Sequence, residues 1–226
     1  MPRGTLGTWQ YNYIMKNRDY KNFSKDSFFH VYNRGNNREN IFHNEQDYKA
    51  FLYRLGLGLG FDQKELLAHP LTSIGNSRVR ITDSRKNQFK LHAFCLMNNH
   101  FHFLIEQCSD TPISKLLLKI CTSYAMYSNR KYGRVGHIFQ DQFKAVLIDS
   151  DSQLMWTSAY IHMNPVKDFL VKHPNEYNWS SYNDYVNNRN LPITNTEFLL
   201  TAFADRKNLE TQTLAVELSR GTLDTL

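Results

Sequence analysis

The stretch FKLHAFCLMNNHFHFLIE, residues 89–106, decides the fold. Its two arms, Phe89 to Met97 and His100 to Glu106, are rich in the aromatic and branched residues that suit a pleated sheet. Asn98-Asn99 between them is a turn, so the segment reads as a β-hairpin. Strand side chains alternate, which puts His100 and His102 on one face and Phe101 on the other. With Phe101 in the core, both imidazoles look out from the open face of the sheet. Two convergent imidazoles make a metal half-site. Alone, a His-x-His pair is a weak signal, more often two unrelated strand histidines than a metal site.

The flanks extend this hairpin into a domain. Upstream, Phe28–Tyr32 is a short β-prone run closed by the turn-forming cluster Asn33-Arg34-Gly35-Asn36-Asn37. Asn44 can cap a helix in which Tyr48, Phe51, Leu52 and Leu55 recur at helical spacing. That helix is expected to fade in Gly56-Leu57-Gly58-Leu59-Gly60, because glycine disfavours helix. Residues 61–88 are polar and turn-rich and read as an insert. Downstream, Thr111-Pro112 opens a helix with Ile113, Leu116, Leu117, Ile120, Tyr124 and Tyr127 on one apolar face. Phe143–Ile148 reads as a strand. Asp149–Ser152 offers caps for a last helix, which Pro165 is expected to stop at Asn164.

The order strand–helix–strand–strand–helix–strand is an α+β, ferredoxin-like split βαβ plan. It is an antiparallel sheet with helices on one face and the other face open for a site. The organisation expected is a basic arm at 1–26, one domain at 27–190 with its insert at 61–88, and a C-terminal extension at 191–226. A short helix is expected at Thr196–Ala204.

Composition narrows the partner. The chain has 226 residues with 41% apolar and 14% aromatic content, enough to bury a core. Its formal charge of +6 points to a polyanion, nucleic acid before membrane surface, though simple solubility accounts for it equally well. Three cysteines without a CxxC pair argue against a disulfide scaffold or zinc knuckle. The N-terminus has no apolar signal core and no stretch is long and apolar enough to span a bilayer, so a cytoplasmic place is expected.

Tyr160 and Asn164 lie four residues apart on the last helix and share a face. Both fall well off the stripe of Leu154 and Ile161, so the tyrosine hydroxyl is expected to reach solvent. The alternatives are a buried tyrosine with a satisfied hydroxyl and an asparagine that merely ends a helix. Tyr124, Tyr127 and Tyr132 are rival nucleophiles, the first two better read as core. His30, His92 and His137 are rival ligands.

Five runs then occur in order: FFHVYNRGNNRENI (28–41), HAFCLMNNHFHFLIE (92–106), GHIFQDQFKAVLIDSD (136–151), YIHMNPVKDFLV (160–171) and YNWSSYNDY (177–185). Together they resemble the REP-associated tyrosine transposases, relatives of the insertion-sequence transposases in the HUH single-tyrosine superfamily. The resemblance covers roughly residues 27–190. It departs at Asn98, where the family often carries proline, and in the insert at 61–88. It implies His100, His102 and Asn164 as metal ligands, Tyr160 as nucleophile, and Mg²⁺ or Mn²⁺ as the ion. Imidazole suits Mn²⁺ better than hard Mg²⁺.

The implied chemistry is cleavage of single-stranded DNA beside a hairpin through a 5′-phosphotyrosine. Candidate DNA contacts are Arg34 with the amides around Gly35, Lys115, Lys119, Arg130, Lys131, Arg134 and Lys144. Monomer and homodimer are both compatible with the sequence. The rival functions are a domesticated hairpin binder that does not cleave, a replication initiator or relaxase of the same superfamily, and a metal phosphodiesterase acting through water.

Overall fold

The computed structural model describes residues 23–74, 79 and 85–216. Most of the expected arm (1–22), part of the insert (75–78 and 80–84) and residues 217–226 lie outside the described residues. In chain order the elements are β1 (Ser27–Arg34), α1 (Glu45–Leu59), α2 (Gln63–Leu67), β2 (Phe89–Met97), β3 (His100–Gln107), α3 (Ile113–Tyr132), β4 (Lys144–Ile148), α4 (Asp151–Lys167), α5 (Tyr182–Val186), α6 (Glu197–Ala202) and α7 (Arg206–Leu214).

The strands form one sheet in the order β2-β3-β1-β4, every pair antiparallel. This is the split βαβ arrangement that the hairpin and its flanks predict. One face carries Phe29, Val31, Phe101 and Phe103, all buried under α1 and α3. Phe101 and Phe103 stack with centroids 4.6 Å apart, and Phe51 of α1 packs on both. Burying a side chain of this size contributes roughly 2 kcal/mol, so this face holds the sheet to its helices.

α1 starts where expected, the Asn44 side chain accepting from the Asp47 amide. It does not fade at Gly56 but runs through Gly58, and Gly60 ends it in the left-handed region at φ 93°. The glycines are there for room. A Cβ at Gly56 would sit 2.4 Å from Leu66 Cδ2, and one at Gly58 2.9 Å from Leu116 Cδ1. Close approach of α2 and α3 outweighs the propensity cost of about 1 kcal/mol per glycine. The first part of the insert is accordingly part of the core, with Leu66 and Thr72 fully buried. α3 begins at Ile113, but Thr111 does not cap it; the Gln107 side chain accepts from the Ile113 amide instead.

The second face is not open, as the sequence reading expected. α4 lies across it, and the segment after α4 covers α4 in turn. Residues 179–181 run along the outer edge of β2, Leu96 N donating to Trp179 O and Ser181 N to Phe94 O. Tyr177, Tyr182, Tyr185, Leu199, Phe203 and Leu209 build a second core with Leu104, Leu154 and Ile161. Among its described residues this C-terminal segment carries α5, α6 and α7, where one short helix was expected. Pro165 does not end α4, which continues to Lys167 with the proline inside it.

Candidate active site between β3 and α4

Alternation on the antiparallel strands puts His30 and Tyr32 of β1 and His100 and His102 of β3 on the face that α4 covers. The register sets Tyr32 opposite His102 and Arg34 opposite His100. The rings of His100 and His102 lie 5.1 Å apart at 90°, close enough to serve one cation. From α4, Tyr160 turns the edge of its ring to His102, with centroids 5.7 Å apart and planes at 89°. His30 completes the cluster, 6.0 Å from the Tyr160 ring. Of the four residues singled out for chemistry, the structure brings His100, His102 and Tyr160 together. Asn164 sits one turn beyond Tyr160.

Tyr160 and Asn164 are buried, 5% and 2% exposed, against the expectation of an open position. The reason is the C-terminal segment. Every residue of α4 from Thr157 to Pro165 is buried, because the helix is sandwiched between the sheet and that segment. Helical spacing identifies the shared face of Tyr160 and Asn164 but not what lies on either side of the helix. Asn164 Nδ2 donates to the Tyr160 carbonyl at 2.9 Å, which leaves Oδ1 as the side-chain atom able to meet a cation.

The chemistry of the donors fits a divalent ion. His100 Nδ1 lies 2.6 Å from Asn99 Oδ1, and His102 Nδ1 lies 3.0 Å from His30 Nε2. In each ring Nδ1 meets a neighbour, so Nε2 is the nitrogen that could face a cation. Burial pushes the His30 pKa down to about 4. Burial, with the neighbouring His100, His30, Arg34 and Lys167, holds His102 well below the usual imidazole value. His30 and His102 are therefore neutral near pH 7, and a neutral ring keeps a lone pair to offer a metal. Among the described residues no group of three His, Cys, Asp or Glu side chains is placed to hold a metal ion.

Cations and aromatics surround this cluster. Lys167 Nζ stands 5.6 Å over the Tyr160 ring, and Lys144 Nζ 5.8 Å over Tyr32. Trp156 stacks on Tyr160 at 5.3 Å and 12°; at 38% exposed, it is where the stack meets solvent. The sequence reading missed Trp156 and Lys167. Trp156 was legible at i−4 from Tyr160 within the expected helix, and Lys167 at i+7 had α4 been taken past Pro165.

The expected DNA contacts divide. Arg34 and Lys144 border the histidine face. Lys115, Lys119, Arg130 and Lys131 belong to α3, which packs on the opposite face of the sheet. Lys131 is bound to Asp47, and Arg134 to Glu39, each at 2.7 Å. The amides around Gly35 are spent on the fold: Gly35 N donates to Asn99 O and Asn36 N to Ile138 O. Gly35 is buried, and only glycine fits there, since a Cβ would lie 2.2 Å from the Glu39 carbonyl oxygen. Tyr124 donates to Ile41 O, and Tyr127 and Tyr132 to Asp47, on the helix side of the sheet, away from His30, His100 and His102.

Sheet and site define an α+β protein with paired histidines on a strand facing a helix tyrosine. Residues 78–164 match the family model described as Transposase IS200 like. The matched span contains His100, His102, Tyr160 and Asn164 and agrees with the resemblance read from the sequence. Among solved structures, the chain is similar to a REP-associated tyrosine transposase bound to a REP hairpin. That similarity has 18% identity and a TM-score of 0.49, covering 74% of this chain and 81% of that one. No curated protein matches the sequence. Among the described residues no helix is long and apolar enough to cross a membrane.

Proposed function

We propose that this protein is a metal-dependent single-stranded DNA endonuclease and strand-transferase, a transposase that cleaves beside DNA hairpins through a 5′-phosphotyrosine on Tyr160. The observation that carries this reading is the approach of Tyr160 to His102, 5.7 Å between ring centroids, inside the transposase-like span.

His100 and His102, with Asn164 Oδ1, would hold Mg²⁺ or Mn²⁺. Such an ion, when bound, polarises a phosphate oxygen and neutralises charge that builds up during displacement. Arg34, Lys144 and Lys167 hold the DNA backbone, since phosphate contacts fix the register of the strand. The Tyr160 oxygen bonds to phosphorus as the bond from phosphorus to the 3′ oxygen breaks. The phenolic proton goes to solvent, and the departing 3′ oxygen takes one up. One phosphodiester is exchanged for another, so a 3′-hydroxyl can reverse the step and join strands without a nucleotide cofactor. A phenol ionises near pH ~10, which makes it a workable leaving group in that reversal.

The burial of Tyr160 favours one second reading, a domesticated protein that binds DNA hairpins without cutting them. Nicking of a hairpin-flanked oligonucleotide in Mn²⁺ separates the two. The proposed enzyme cuts, stops in excess EDTA, and stops when His100→Ala and His102→Ala are combined in a chain that still folds and binds the hairpin. Hairpin binding with no cleavage in any divalent ion supports the second reading. Undiminished cleavage by the double variant removes the metal site.

A further inference from the structure

His30 is a third imidazole at the site, on a strand that the matched transposase span does not include. It is buried, and its Nε2 lies 3.0 Å from Nδ1 of His102. The two rings sit 5.2 Å apart at 26°. On the other proposed ligand, Nδ1 of His100 meets Asn99 Oδ1, an atom that can only accept. Nδ1 of His100 therefore carries the proton, and its Nε2 carries the lone pair.

We infer that His30 is a positioning residue for His102, accepting a hydrogen bond from its Nδ1–H and thereby leaving Nε2 of His102 to the cation. This rests on the proposed metal-dependent reading. Each ligand ring has one nitrogen held by a neighbour, and a histidine that binds metal through one nitrogen characteristically donates the other N–H to a fixed acceptor. His30 Nε2 is that acceptor, so the His30 proton lies on its own Nδ1. A histidine present only to fill space could be replaced by any ring of similar shape. One that sets a tautomer needs an acceptor where Nε2 stands, and a glutamine Oε1 can supply it.

The test compares the wild-type chain with His30→Phe, which keeps a ring and loses the acceptor, and His30→Gln, which keeps an acceptor. Mn²⁺ affinity is read by paramagnetic resonance titration, and the His102 tautomer by long-range ¹H–¹⁵N spectra without metal. The wild type shows the Nδ1–H tautomer. His30→Phe loses it and binds Mn²⁺ about 10- to 100-fold more weakly. His30→Gln restores the tautomer and most of the affinity. An unchanged tautomer and affinity in His30→Phe overturn the inference. If that variant does not fold, the wild-type spectrum decides, and an Nε2–H tautomer at His102 overturns it. A wild-type chain with the Nδ1–H tautomer that binds no Mn²⁺ overturns the metal-dependent reading and the ligand role of His102 with it.

Discussion

Lys131 crosses from α3 to α1 and places Nζ 2.7 Å from Oδ1 of Asp47, a carboxylate with no exposed surface. Tyr127 and Tyr132 donate to the same carboxylate, and the His43 amide closes the set. A side chain that looks from the sequence like one of a pair of DNA-binding cations is a clasp between two helices. Removing one partner of a buried ion pair strands the other. Lys131→Ala should therefore destabilise the fold by about 2 kcal/mol, less than the full loss of a buried pair because three donors to Asp47 remain. Urea unfolding measures it, and a change within a few tenths of a kcal/mol contradicts the clasp.

The same carboxylate sets a pH dependence. Burial pushes the Asp47 pKa up, but the bonds from Lys131, Tyr132, the His43 amide and Tyr127 outweigh that push and hold it below the usual value. Glu106 is also lowered, first by its bond from His92. A carboxyl with a depressed folded pKa contributes stability above its unfolded pKa, and that contribution is lost as pH falls through the folded one. Stability should therefore drop on acidification below about pH 5. In Asp47→Asn the acid limb should be shallower. An acid limb of unchanged slope in that variant counts against the assignment.

DNA affinity should be carried by the cations around the histidine face. Each phosphate contact releases counterions, so losing one lowers affinity and reduces the salt slope by about one. Arg34→Ala, Lys144→Ala and Lys167→Ala should each do this with a hairpin oligonucleotide. Lys131→Ala, corrected for its folded fraction, should leave the slope alone. Equal loss from Lys131→Ala would put DNA on the helix side of the sheet.

The sheet was legible in the sequence because strand alternation is local. Phe101 between His100 and His102 assigns both faces of β3, and the turn at Asn98-Asn99 marks the hairpin. α1 was legible only up to Leu55, since the value of Gly56 and Gly58 lies in how closely Leu66 and Leu116 approach them. α4 was cut short at Asn164 by the local bias against helix before proline, which packing on both sides overrides. The burial of Tyr160 depends on residues 177–209 folding back over α4, a non-local fact that helical spacing cannot contain. The early stop at Asn164 hid Lys167, and the non-local limit hid the pairing of Lys131 with a carboxylate 84 residues away.

On the proposed mechanism, Tyr160 becomes covalently joined to the 5′ end of cleaved DNA. The most direct measurement incubates the protein with a 3′-labelled hairpin oligonucleotide and Mn²⁺, resolves the products on a denaturing gel, and maps the adduct by peptide mass. A labelled adduct is expected on the peptide containing Tyr160. None is expected in Tyr160→Phe, a variant that keeps hairpin and Mn²⁺ binding because it loses only the phenolic oxygen. Cleavage by Tyr160→Phe at the wild-type rate, or an adduct on Tyr124, Tyr127 or Tyr132, would contradict it.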